Sequence, residues 1–214
     1  MARRTGVMGG MFDPVHAGHL QAAAAARSYC QLDEVLLVPC GTPVHRASAL
    51  TPSAQRCDML RIAMKTEGWL NLDTRECDKV APSRTHDTLE ALRQDRPNEQ
   101  LYFILGVDAF LTLSSWYRWR DIFGLAHLIV VARPGFELAL GAVNPDLQQE
   151  FVKRAVPADT RQAPEKTGRI FMATLPTPEL SSSHVRKLLH EGKPVNAFLP
   201  PGVAEYIESN HLYR

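Results

Sequence analysis

The chain has 214 residues, 45% of them hydrophobic, which suits one domain of ordinary to large size with a real buried core. Lysine and arginine total 24 against 23 aspartates and glutamates, so the formal net charge is +1 and offers no global field for a nucleic-acid backbone or an anionic membrane. Any anionic ligand must therefore be met by a local arrangement of donors.

Cys30, Cys40, Cys57 and Cys77 form no CxxC or CxxH pair. That argues against a structural zinc site, and they are too sparse for a disulfide scaffold. Reduced thiols are the expectation. The longest apolar run, 128–132, falls far short of a bilayer span. Met1-Ala2-Arg3-Arg4 enters a strand-like run and a glycine pair instead of a signal-peptide core. A soluble cytoplasmic protein follows, with neither a nucleic-acid nor a membrane partner.

Short apolar runs alternate with helical patterns along the chain. A strand over 4–8 leads to an Ala-rich helix over 20–29, and a second strand covers 34–39. A helix over 53–65 carries Met59, Leu60, Ile62 and Ala63, with Thr51 or Ser53 as its cap. Then come a strand at 70–73, a helix at 85–94, a strand at 101–106, a helix at 115–123 and a strand at 128–132. Residues 135–168 read as an insertion-like flexible segment, with one helix near 145–154 and a mobile surface loop over 155–168. After a strand at 170–173, the stretch 181–214 is helical, interrupted at Lys193-Pro194 and Leu199-Pro200-Pro201. The pattern predicts a single α/β domain over 1–214, its parallel sheet covered on both faces.

The first strand runs into Gly9-Gly10-Met11-Phe12-Asp13-Pro14-Val15-His16-Ala17-Gly18-His19-Leu20. In an open α/β sheet, ligands bind beyond the carboxyl ends of the strands. Paired glycines admit close backbone approach, and a helix starting near Ala17 turns its positive end to that space. GxGxxG is absent and no GK[ST] follows, so neither the dinucleotide fingerprint nor a P-loop is present. His16 and His19, three apart, can face one site from the first helical turn. An arbitrary HxxH pair is more often a cap residue and a buried histidine, and a metal pair would need a third ligand that the spacing does not supply. The glycines, the Asp13-Pro14 turn and HxGH at a helix start together make a coherent anion-binding device.

GGMFDPVHAGHL resembles the signature of the HxGH nucleotidyltransferase superfamily, most closely the bacterial nicotinate-nucleotide adenylyltransferases. The resemblance implies a Rossmann-like, doubly wound parallel sheet of the nucleotidyltransferase type with a helical C-terminal segment. It implies that His16 and His19 contact the ATP phosphates and the transferring phosphoryl group. Gly9, Gly10, Met11 and Phe12 would supply backbone contacts, and Asp13 would lie on the acceptor side. Met11 replaces the family's small hydroxyl residue, so a contact made by that hydroxyl is missing here.

Further segments resemble the family in the same order. Ser181-Ser182-Ser183-His184-Val185-Arg186 stands at a helix start, where hydroxyls and an arginine make a second anion-binding corner. It is similar to the family's SSTxxR motif, so Ser182, Ser183 and Arg186 are implied to hold ATP phosphates. The segment ending in His45 and Arg46 resembles a loop that reaches the reacting phosphates, with Arg46 where lysine is usual; a fork is not a point charge. Thr85 falls where the family borders the pyridine ring. Gly106 and Asp108 match a Gly-x-Asp near the nucleotide. Trp116 matches the aromatic that stacks on the nicotinate ring, and the 130–135 segment resembles a family strand end, which implies that Arg133 would lie near the ATP side. Trp119 reads as core.

The activity so implied joins ATP and nicotinate mononucleotide to give nicotinate adenine dinucleotide and pyrophosphate. His16, His19, Arg46 and Arg186 would be the catalytic set. Mg²⁺ would accompany ATP, held mostly by substrate oxygens and water, since no protein metal site is visible. Nicotinamide mononucleotide or phosphopantetheine as acceptor, or a non-catalytic nucleotide sensor, are the rival readings. Oligomeric state is not readable from the residues.

Overall fold

Strands β1 (Arg4–Gly10) and β2 (Glu34–Pro39) flank helix α1 (Ala17–Cys30), and the two-residue strand β3 (Thr42–Pro43) follows. Next come α2 (Ser53–Ala63), β4 (Leu70–Leu72), β5 (Pro82–Ser83), α3 (Thr85–Asp95) and β6 (Gln100–Gly106). Then follow α4 (Val107–Leu111), α5 (Ile122–Leu125), β7 (His127–Ala132), α6 (Pro145–Arg154), β8 (Ile170–Thr174), α7 (Ser182–His190) and α8 (Val203–Ser209). The computed structural model describes residues 2–43, 50–79, 82–132, 143–174 and 180–214.

Six strands form one sheet in the order β4-β2-β1-β6-β7-β8, with every pairing parallel. Counted along the chain, the sheet strands run third, second, first, fourth, fifth, sixth, the doubly wound order. Winding reverses between β1 and β6, so their carboxyl ends, Gly10 and Gly106, flank the crevice where such sheets bind ligands. β3 and β5 pair as a separate two-stranded sheet.

Helices pack on both faces because the strands are apolar on both; every residue of β2 and of β7 is buried. One core gathers Ala22, Ala23 and Ala26 of α1 with Leu60, Val185 and Ile207. The other gathers Leu89 and Leu92 of α3 with Phe110 and Ile122. The helical C-terminal segment therefore belongs to the α1 face.

Helix α1 starts at Ala17, as the HxGH segment implies, three residues before the Ala-rich run over 20–29. One element differs from expectation. The single helix expected over 115–123 is replaced by α4, a 3₁₀ turn at Leu113–Ser115, and α5. Trp116 is extended (φ −81°, ψ 151°) and Arg118 is left-handed at φ 49°, so no α-helix can run through them. The Arg118–Asp121 ion pair at 2.6 Å closes that turn.

The stretch 155–168 is irregular but fastened to the body. The Tyr29 hydroxyl donates to the Ala158 carbonyl at 2.7 Å, and Gln100 Nε2 donates to the carbonyls of Ala163 and Glu165 at 3.2 and 2.9 Å. Among the described residues no helix is long and apolar enough to cross a membrane.

Candidate active site

The turn after β1 sets the site. Phe12 adopts φ 48° and is buried, its ring lying against Gly10, where a Cβ would come within 3.0 Å of it. The Phe12 ring meets the edge of His19 at 4.9 Å. His16 caps α1 in an extended conformation, and its backbone N–H donates to His19 Nδ1 at 3.2 Å. With Nδ1 accepting, the neutral His19 ring carries its proton on Nε2 and keeps a donor for another partner. The two imidazoles stack at 3.7 Å.

Burial holds both rings neutral. It brings His16 from 6.5 down to about 4, and burial followed by the neighbouring His16 charge keeps His19 well below 6.5. His16 Nδ1 is buried without a hydrogen-bond partner among the described residues. It lies against Gly18, where a Cβ would stand 3.1 Å from it, close enough that the ring would have to give by a few tenths of an ångström.

The helix end is less open than the sequence suggests. The Ala17 N–H donates to the Phe198 carbonyl at 2.8 Å and the His19 N–H to the His16 carbonyl at 3.0 Å. Two of the helix's first N–H groups are therefore already engaged within the protein. Ser181 caps α7, accepting from the His184 N–H at 3.2 Å. Ser182 Oγ donates to the Pro14 carbonyl at 3.0 Å. Arg186 Nη1 donates to the Asp13 carbonyl at 2.7 Å and its Nη2 to Ser183 Oγ at 3.2 Å. The two motifs, far apart in sequence, thus meet at the 13–14 turn.

Asp13, expected on the acceptor side, is turned into the protein. Its Oδ2 accepts from the Leu50 N–H at 2.8 Å and its Oδ1 from the Tyr213 hydroxyl at 2.6 Å. With both oxygens engaged and the residue buried, it anchors the turn.

Across the switch point, Gly9 and Gly106 are exposed, Met11 is half-buried, and Asp108 is exposed in the first turn of α4. Thr85 is half-buried at the start of α3. Arg84, just before it, stacks its guanidinium 4.4 Å over the Tyr117 ring, which joins α3 to the 116–117 segment. Trp116 is half-buried, edge-on to Phe103 at 6.2 Å, whereas Trp119 is buried in the core as expected. His45, Arg46 and Arg133 lie outside the described residues. Nor do the described residues contain a cluster of three or more acidic, histidine or cysteine side chains suited to a metal.

Arg56 escaped the sequence reading. It is 1% exposed and donates to three backbone carbonyls, two of them at the ends of β1 and β2. A signal existed: Arg56 falls on the same helical stripe as Met59, Leu60 and Ala63.

Residues 7–188 match the model of the cytidylyltransferase-like family. This chain belongs to that family. A probable nicotinate-nucleotide adenylyltransferase of Methylococcus capsulatus is 38% identical over 209 residues, covering 97% of this chain and 98% of the relative. One from Pectobacterium atrosepticum is 39% identical over 218 residues, covering both chains completely. Among solved structures, Plasmodium falciparum nicotinic acid mononucleotide adenylyltransferase complexed with NaAD superposes with a TM-score of 0.74. It is 20% identical, covering 99% of this chain and 97% of that one, and speaks for the fold. The family membership and the Rossmann-like fold expected from the HxGH segment are therefore both found.

Proposed function

We propose that this chain is a nicotinate-nucleotide adenylyltransferase, transferring AMP from ATP to nicotinate mononucleotide and releasing pyrophosphate in NAD biosynthesis. The observation that carries the reading is the meeting of the His16–His19 turn with Ser182, Ser183 and Arg186 beside the β1–β6 switch point. The names of the full-length relatives support nicotinate over nicotinamide in the acceptor. In this reading residues 1–214 act as one domain, and four free thiols suit a reducing cytoplasm.

The acceptor phosphate is already an anionic nucleophile, so no general base is needed. One of its oxygens bonds to the α-phosphorus of ATP, the bond from that phosphorus to the bridging oxygen breaks, and pyrophosphate leaves with the electron pair. Charge on the leaving pyrophosphate would be neutralised by the Mg²⁺ that accompanies ATP, for which the described residues offer no dedicated cluster of ligands. The protein's task is to hold two polyanions in line and to stabilise the charge that develops. His19 donates from Nε2 as a neutral imidazole. Ser182, Ser183 and the free donors of Arg186 bind the departing phosphates, while Gly9 to Phe12 present backbone to ATP, with Gly106 and Asp108 at the other side of the crevice. Thr85 and Trp116 border the pyridine ring, a flat electron-poor group suited to an aromatic face. His45, Arg46 and Arg133 complete the reading from sequence alone.

Pyrophosphate release with Mg·ATP and a panel of acceptors tests it. Turnover with nicotinate mononucleotide, well above that with nicotinamide mononucleotide or phosphopantetheine, is the expected result. Preference for another acceptor, or binding without release, overturns the reading.

A further inference from the structure

Among the described residues Arg56 is the large charged side chain most completely withdrawn from water, and the partners it donates to are all neutral. Nε donates to the Thr51 carbonyl at 3.1 Å, Nη1 to the Met11 carbonyl at 2.7 Å and Nη2 to the Cys40 carbonyl at 2.6 Å. No carboxylate pairs with it among the described residues. A buried cation without a counter-ion is costly, and three main-chain acceptors offset only part of that cost. An arrangement of this kind calls for a purpose beyond filling space.

Its position supplies one. The β1–β2 ladder ends at Gly10 and Pro39, and the Cys40 N–H adds a last bond to the Gly10 carbonyl at 2.8 Å. One residue further on, each strand leaves the sheet. Met11 starts the turn that carries His16 and His19. Cys40 leads to Gly41, whose N–H donates to Ser83 Oγ at 3.0 Å, two residues before Thr85. The terminal nitrogens of one guanidinium therefore bridge the ATP-side turn to the acceptor-side loop. The planar fork has a fixed span, so it fixes their separation in a way a flexible ammonium does not.

We propose that Arg56 is a positioning residue for adenylyl transfer, setting the distance between the ATP-side and acceptor-side loops through the Met11 and Cys40 carbonyls. The inference rests on the adenylyltransferase reading. In-line transfer depends steeply on the relative placement of two substrates that each keep their own contacts. Loosening the clamp therefore lowers kcat and spares both KM values.

The test is steady-state pyrophosphate release with Mg·ATP and nicotinate mononucleotide for the wild type, Arg56→Lys, Arg56→Gln and Arg93→Lys. Arg93 is the control, because its guanidinium also holds main-chain carbonyls, those of Glu99 and Leu125, each at 2.6 Å, but at the far end of α3. For Arg56→Lys the expected result is a fall in kcat of about tenfold or more with both KM values within about threefold. Arg93→Lys should keep kcat within about twofold, whatever it does to the melting temperature. The inference is overturned if Arg56→Lys keeps wild-type kcat, if only KM changes, or if Arg93→Lys loses as much. Should Arg56→Lys fail to fold, Arg56→Gln is judged by the same criterion; if neither folds, Arg56 belongs to the fold alone and the inference falls. Absence of turnover in the wild type overturns the adenylyltransferase reading itself, a result separable from all of these.

Discussion

Replacing His127 by glutamine should flatten the acid side of the stability profile by an amount the structure sets. His127 opens β7 and is fully buried. Its Nδ1 accepts from the Arg169 N–H at 3.1 Å and its Nε2 donates to the Glu165 carbonyl at 3.0 Å, which specifies the neutral ring. Burial lowers its pKa from 6.5 to about 4. The unfolded chain therefore binds the proton first as pH falls. The stabilisation is complete above the unfolded value and is lost as pH drops from 6.5 towards 4. Linkage gives a loss of about 1 kcal/mol by about pH 5.5 and about 2 kcal/mol by about pH 4.5, relative to neutral pH. Glutamine keeps a donor and an acceptor but does not titrate, so it shifts the curve without adding to its slope. Urea melts of both proteins across this range measure the difference, and groups common to both, including His16 and His19, cancel in it. Parallel stability curves for wild type and His127→Gln would refute the reasoning.

His19→Ala removes the donor whose tautomer the His16 N–H specifies, and should lower kcat about 10²-fold; near-normal turnover would sink the assignment. Trp116→Ala should raise the KM for nicotinate mononucleotide more than that for ATP, and equal changes would argue against stacking on the pyridine ring. Tyr213→Phe deletes the donor to Asp13 Oδ1 and should cost about 1–3 kcal/mol of stability by calorimetry. An unchanged melting temperature would mean that the carboxylate finds another donor.

How much of the site could be read in the sequence depended on whether the chemistry was local. The six sheet strands were visible because each is a short apolar run between helical patterns. The meeting of the HxGH and SSSHVR segments rested on family resemblance, since nothing within either segment encodes the hydrogen bond from Arg186 to the Asp13 carbonyl. The 115–123 helix was misread because Trp116-Tyr117-Arg118-Trp119 has a helical composition, while its backbone is decided by the left-handed Arg118 and the Arg118–Asp121 pair. Asp13, expected on the acceptor side, has its carboxylate taken up by the Leu50 N–H and by Tyr213, which arrives from the far end of the chain and is invisible to local pattern. Arg56 needed the opposite attention, to a charge standing where the helical period demands an apolar residue.

The net charge of +1 conceals a division of labour among the arginines. Away from the crevice, Arg75 pairs with Asp73 at 2.8 Å, Arg96 with Glu34 at 2.5 Å and Arg154 with Glu150 at 2.6 Å, so these charges are spent within the protein. Beside the turn after β1, Arg56 and Arg186 donate instead to the carbonyls of Met11 and Asp13. The Asp13 carboxylate is held by Leu50 and Tyr213 and forms an ion pair with neither arginine among the described residues. A carbonyl orients a guanidinium without cancelling its charge. Neutral histidines beside them add donors without like-charge repulsion against the arginines, which burial secures by lowering their pKa values. On the adenylyltransferase reading, a nearly neutral chain would thus offer positive donors to a polyphosphate locally, with Asp73, Glu34 and Glu150 satisfying other arginines and Asp13 the turn itself.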